Sequence, residues 1–495
     1  MTQELATPRP HRFAALVVAA CCLVSPAAAA ASVKLTTEPK LKPSFKRYVG
    51  DFVSRCRPGE PLRFRVEATD GEKVAVGGQA PRGGDFQTEI SRPTGDQVTV
   101  RVIGDGRTTT HHVRCLPQDF PTYSVKRYRK PQAALYVLTP IGPKTQGYVA
   151  IFDPRGVPVW WAYRSDYGPW DGKLLPNGNV LWGRQYNDRF GMNPEEAVEE
   201  HRLDGSLVRT LRTAGSPTDM HDAILLANGN YLLDTYRRRC CVDLRKYGGP
   251  RGATVYDGEI QELAPDGRVV WRWNSRGHFK LSETTWWPHI VKGQEKEAPA
   301  NRGYDLVHIN SMEPDGDGII VSARFIDAVF RIDRETGAVD WKLGGTKRGD
   351  SLKVLNDPHG DDPMSGNHDA RLYDGSSVTV HDNATRAKRP PRAVRYRIDP
   401  EKRTAKLVED IEPEFPFSGW GGSARKLPEG NWVVYWGGND RMSEIRPNHK
   451  KVLDLTFHGQ RWSYRAIPVP RGEQSLSAIR RGMSALARTG AAAPR

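Results

Sequence analysis

Beyond residue 31 this sequence has no apolar run long enough to cross a bilayer as a helix. Cysteine is scarce, with six in 495 residues, which excludes a small scaffold held together by many disulfides. Acidic residues are outnumbered, 58 against 73 Lys and Arg, leaving a net charge of +15. Yet no Lys/Arg run lies on a helix and no nucleic-acid-binding signature is present, so a nucleic-acid partner is not expected. The surplus reads as an Arg-rich solvated surface, or as an attraction for anionic substrates. Plentiful are Gly (48), Pro (37) and Trp (13), a composition suited to many turns and an all-β chain.

The N-terminus reads as a secretion signal. Arg9 and Arg12 precede an uncharged, Ala-rich run from Phe13 to Ala31 that Ser25-Pro26 interrupts. Cleavage is expected near Ala30, with lipidation at Cys21 in "VAAC" as the alternative, and an extracytoplasmic location follows from either. Cys21 and Cys22 leave with residues 1–31. Cys56 and Cys115 flank a strand-rich segment and are expected to pair. Cys240 and Cys241 are adjacent; a bond between neighbours is strained, which favours two free thiols.

Residues 32–130 show short alternating strands ("LRFRVEA", "QVTVRVIG") between Gly/Asp/Pro turns, the pattern of a small β-sandwich. From 131 to 470 the chain repeats. A hairpin such as "HDAILLANGNYLLD" alternates with a second, usually Trp-bearing one such as "EIQELAPDGRVVWRW". Four short strands per unit of roughly 50–60 residues predict a β-propeller, here of six blades. "WSYRAIPVP" is left over and is expected to complete the first blade, removing an exposed edge. Residues 471–495 read as a basic, Ala-rich, solvated tail.

Aligned on their turns, His221, His308 and His368 occupy one position near the start of the first strand of three consecutive blades; Trp170 and Gly422 stand there in two others. Such positions meet around a propeller's axis. His308 and Arg324 flank Gly316 symmetrically and become cross-strand neighbours in a hairpin centred there. Period 2 puts Asn310 on the His308 face and turns Asp222 and Asp369 the other way, to close turns or cap amides. Three imidazoles suit zinc, but Arg opposes a dication and no carboxylate is evidently placed to compensate. Arg with imidazoles also suits a tetrahedral anion, and a neutral imidazole can be a covalent nucleophile. A histidine can equally serve a strand-to-strand hydrogen bond.

"HDAILLANGNYLL", "DLVHINSMEPDGDGIIVSARF" and "GNHDARLYDGSSVTVHDN" resemble the secreted bacterial arylsulfotransferases, over about 131–470. The resemblance implies an all-β, six-bladed propeller that moves a sulfuryl group from a phenolic sulfate donor to a phenol acceptor, without a nucleotide sulfate or other cofactor. It implies a ping-pong route through a sulfated histidine. The nucleophile's motif matches His368, the supporting histidines match His221 and His308, and the anion-binding arginine matches Arg324. In that scheme His308 protonates the departing phenolate. Trp286, Trp287 and Trp420 are candidates to stack a phenol ring, with Asn310 beside them in the substrate set. The chain departs from the family at Asn367, where Gln is expected before the nucleophile, and at Cys240-Cys241, which is not a separated disulfide. Two other readings stay open: a secreted propeller that binds a sulfated ligand without turnover, and a His-ligated metal enzyme.

Overall fold

The computed structural model describes residues 33–492, apart from Pro58, Asp105, 143–146, 187–190, 298–301 and 413–414. The expected signal peptide and its cleavage or lipidation site lie outside the described residues. The chain is all-β, and no helix among the described residues is long and apolar enough to span a membrane.

Two sheets form from the first eighty-odd described residues. One has three strands, in the order Lys34–Glu38, Leu62–Glu67, Asp85–Ile90; the other has five, including Asp51–Arg55, Arg107–Leu116 and Gln97–Gly104. Alternation in Leu62–Glu67 and Gln97–Gly104 buries one side chain in two, so Phe64 and Val66 of one sheet share a core with Val98, Val100 and Val102 of the other. Cys56 and Cys115 are disulfide-bonded in that core.

Six further sheets follow, each with a four-strand antiparallel path, in chain order in all but the first. Their first strands are Ala466–Val469, Gly168–Leu174, Thr218–Leu225, Ile309–Asp315, His368–Tyr373 and Ser423–Lys426. Each first strand packs on the next, and Ser423–Lys426 packs back on Ala466–Val469, so the succession returns to its start. The leftover C-terminal segment does supply that strand: Ala466–Val469 pairs with Leu135–Leu138. Middle strands such as Gly147–Phe152, Gly318–Ala323 and Ser377–Asp382 are buried along their whole length. Being covered on both faces, Gly147–Phe152 and Gly318–Ala323 are mostly apolar, while Ser377–Asp382 buries Ser, Thr, His and Asp among its valines. The recurrent Trp residues tie neighbouring sheets: the Trp160, Trp271 and Trp273 indole N–H groups donate to the carbonyls of Leu203, Arg334 and Gly337 at 2.8, 2.9 and 2.9 Å.

Two boundaries differ from expectation. Tyr123–Arg127, assigned by sequence to the N-terminal module, pairs with Lys451–Phe457 as a fifth strand of the last sheet. The C-terminal tail is not solvated. Leu476–Thr489 is an α-helix whose Ile479, Met483 and Leu486 pack against Trp161 and its neighbours, while its Arg480 pairs with Asp51 of the module. The helix's exposed basic residues are Arg481 and Arg488, and composition alone does not show the buried stripe beside them.

Candidate active site

Every inner strand that carries a candidate residue breaks its register. The irregularities fall at Trp170/Lys173, Thr218/Ala223, Ile309/Ser311 and His368/Arg371. A bulge re-aims side chains that plain alternation would send to one face or the other. The cost is visible in left-handed backbone at Asp171 (φ 48°), His308 (54°) and Asp369 (55°), none of them glycine. The bulge after Ile309 also restores the His308–Arg324 pairing: the turn centres one half-position beyond Gly316, yet the Arg324 amide donates to the His308 carbonyl at 2.9 Å.

His221, His308, His368 and Arg324 share one cavity of about 360 Å³, walled by Trp170, Trp420, Trp462 and Tyr464, with Gln185 at its edge. The Trp170 and Tyr464 rings stack at 4.6 Å, and Trp420 meets Trp462 edge-on at 4.2 Å. The cavity therefore combines three imidazoles and a guanidinium with four aromatic rings.

His368 is held in one tautomer. Its Nδ1 lies 2.9 Å from the Gly366 carbonyl and 2.8 Å from Asn383 Oδ1. A carbonyl only accepts, so Nδ1 carries the proton and Nε2 a lone pair. The Asn383 amide is oriented by its own donation to Ser418 Oγ and the Gly421 carbonyl, at 2.8 and 2.9 Å. The Gly421 amide donates to His368 Nε2 at 3.2 Å, which agrees with a lone pair there. Burial, and then the Arg324 charge, push His368 well below the ordinary imidazole range, so the ring is neutral.

The other two histidines each face a carboxylate. His221 Nδ1 is 2.6 Å from Asp219 Oδ1, and His308 Nδ1 is 2.6 Å from Asp305 Oδ2 with the Tyr236 hydroxyl at 3.3 Å. Their rings lie 4.8 Å apart. Burial opposes a charge on Asp219, but His221 outweighs it and holds this carboxyl below its usual value. Asp305 goes the other way, raised by burial to about 7, while burial, and then neighbours that include Arg324, push His308 well down. Behind His221, burial and Asp219 raise Asp234 well above the carboxylate range. Among the described residues, Asp219, His221 and Asp234 are the set with metal-ligand spacing, one donor atom each within 4.8 Å of one another, though Asp219 Oδ1 already accepts from the His221 backbone amide and lies 2.6 Å from its Nδ1.

Arg324 has no carboxylate ion-pair partner among the described residues. One terminal nitrogen donates to the Gly419 carbonyl at 2.9 Å, and its buried Nε has no partner. A guanidinium so placed has donors in reserve for an anion.

Trp420 lines the cavity, but Trp286, Trp287 and Asn310 do not. The Trp286 indole donates to Asp327 at 2.9 Å and its ring supports the Arg324 guanidinium at 5.3 Å. Trp287 stacks on Tyr247 at 5.1 Å and donates to the Leu281 carbonyl. Asn310 is turned away by the bulge beside it; it donates to the Asn367 carbonyl at 2.8 Å and accepts from the Asp369 amide. Asp222 and Asp369 do more than close turns. Asp222 caps the Met312 amide at 2.8 Å, and both are buried among Arg371, Arg465, Lys173 and Arg425 beneath the histidines. Sequence reasoning missed Tyr464, Trp462, Gln185, Asn383, Asp219 and Asp305. Asn383 alone carried a signal, lying across the hairpin from His368 two residues beyond its partner His381.

The family model for Arylsulfotransferase (ASST) matches residues 122–465. No curated protein matches the chain. Among solved structures it is similar to a Bacteroides caccae protein of unknown function (12% identity, 68% of this chain and 99% of that one, TM-score 0.41). It is also similar to a β-propeller domain from Myceliophteria thermophila (12%, 68% and 89%, 0.37) and to a periplasmic gluconolactonase from Pseudomonas aeruginosa (12%, 66% and 82%, 0.36). The family match opens at the strand added to the last sheet, ends on Arg465 and takes in every residue of the cavity; the chain belongs to the arylsulfotransferase family.

Proposed function

We propose that this protein is an extracytoplasmic aryl-sulfate sulfotransferase that works by a ping-pong mechanism through a sulfated His368. The six sheets are taken as the blades of a closed six-bladed propeller, and the two N-terminal sheets as a β-sandwich fastened to it by the C-terminal helix. The observation that carries the reading is His368 itself: neutral, with its proton pinned on Nδ1 and the Nε2 lone pair in a cavity that also holds Arg324.

In the first half-reaction His368 Nε2 attacks the sulfur of a phenolic sulfate, an N–S bond forms, and the S–O(aryl) bond breaks. Arg324, with its uncommitted Nε, binds the sulfuryl oxygens as charge gathers on them. His308 gives its Nε2 proton to the leaving oxygen and takes the Asp305 carboxyl proton on Nδ1. In the second half-reaction an acceptor phenol loses its proton to this pair, its oxygen attacks sulfur, and the N–S bond breaks. Trp170, Trp420 and Tyr464 supply the faces against which either aryl ring packs.

The test uses a chromogenic aryl sulfate with and without a phenol acceptor. The intact protein should release phenol in an acceptor-dependent manner, and donor alone should leave an adduct of the mass of SO₃ on His368. His368→Ala should lose turnover by roughly 10³-fold or more. Saturable donor binding with neither adduct nor turnover would leave a binding propeller instead.

A further inference from the structure

We propose that Cys240 and Cys241 are a reversible two-electron redox site, closing as a disulfide between neighbours. On a regular strand successive side chains point to opposite faces, so adjacent cysteines are held apart. Here they are not. The pairing of Tyr231–Val242 with Ala253–Leu263 runs regularly to Arg239↔Val255 and resumes at Val242↔Ala253. Cys240 and Cys241 therefore stand as a pair opposite Thr254 alone, in a bulge. Cys241 has left-handed backbone, φ 67°, which is uncommon for a side chain with a Cβ. The peptide turned in this way brings the two Sγ atoms to 2.9 Å, inside van der Waals contact. Both cysteines are exposed. Bulge, backbone and sulfur contact together bring the two thiols within reach of each other, where an ordinary strand would hold adjacent cysteines apart.

The reaction is thiol–disulfide exchange with a disulfide-bearing oxidant. One cysteine thiolate attacks the oxidant and forms a mixed disulfide, releasing one thiol. The neighbouring thiolate then attacks that bond, closing the ring and releasing the second thiol. Two cysteine protons and two electrons leave, and one disulfide of the oxidant becomes two thiols. The bulge abuts residues that matter elsewhere: Val255 and Tyr256 pair with Tyr304 and Asp305, and Asp305 holds His308. The ring would remove backbone freedom at the end of the ribbon that supports this carboxylate.

The experiment treats the full-length protein with oxidised glutathione, then denatures and alkylates it without reductant before peptide mapping. The expected result is a peptide carrying both cysteines, unlabelled and lighter by two hydrogen atoms. It should gain two labels after mild reduction that leaves Cys56–Cys115 intact. In Cys241→Ser one glutathione should stay trapped on Cys240, because the resolving thiol is gone. Two labels on the oxidised wild-type protein, a glutathione persisting on it as in the variant, or a bond from either cysteine to another chain would overturn the proposal.

Discussion

At the residue scale the site depends on which groups carry protons. In the proposed mechanism His368 is neutral when it attacks, and its pKa lies well below the ordinary 6.5 because burial and Arg324 disfavour the imidazolium. Its half-reaction should therefore keep its rate as pH falls through 6.5, where a solvated imidazole would lose it. In the same mechanism the proton for the leaving group comes from Asp305, raised to about 7 by burial, so the step should slow as pH rises through about 7. Pre-steady-state phenol release against pH reads both limbs, and Asp305→Asn should remove the alkaline one. Stability carries the matching sign. Below pH 6.5 the unfolded chain protonates the His368 and His308 rings while the folded chain does not, so these two lower stability as the pH falls. Arg324→Lys keeps the charge but loses the planar fork, and turnover should fall by roughly 10²-fold with a smaller change in KM. Steady-state kinetics on a sulfated phenol decides it.

At the element scale the bulge is the working unit. It lifts His221, His308 and His368 into the cavity, and it sends the aspartate that follows His221 and His368 down into a buried ion network. Asp369 pairs there with Arg371, Arg425 and Arg465 at 2.9, 2.8 and 3.2 Å. Asp369→Asn keeps a residue that tolerates φ 55° and removes only the charge. Two buried cations and the half-buried Arg425 would then share too few anions, and stability should drop by about 3 kcal/mol in urea unfolding. The His308–Arg324 pairing was legible from the symmetry of its hairpin. The side that Asn310 faces was not, because period 2 assumes an uninterrupted strand and one extra residue inverts it. Trp286 and Trp287 misled for another reason. A loop between two strands can deliver a Trp to the cavity or behind it, and composition does not separate the two.

At the scale of the whole molecule, Arg465 gathers what the sheets leave in the middle. Its guanidinium reaches Asp171, Asp222 and Asp369 at 2.9, 3.4 and 3.2 Å and donates to the Asn310 carbonyl, touching the inner strands of four sheets. The next residues form the strand that completes the first sheet. Ending the chain before Trp462 removes both and should leave no cooperative unfolding transition in calorimetry. Ending it after Pro470 spares every strand and removes the helix Leu476–Thr489 with its buried Ile479, Met483 and Leu486, together with the Arg471, Gln474 and Ala492 hydrogen bonds on either side of it. That should cost roughly 5 kcal/mol of apolar burial. The protein should stay folded with a lower Tm and keep its turnover at 25 °C.

The sequence by itself determined the strands, their turns, the all-β class and the repeat position shared by His221, His308 and His368. These follow from local chemistry: turn residues at regular spacing, and apolar strands between them. Tertiary structure alone decided which side chains share the cavity, that Asn383 sets the His368 tautomer, that carboxylates stand behind the other two histidines, and that residues 476–489 dock as a helix. Those outcomes depend on bulges that reverse a strand's faces and on contacts between residues hundreds of positions apart, and neither leaves a periodic trace in the chain.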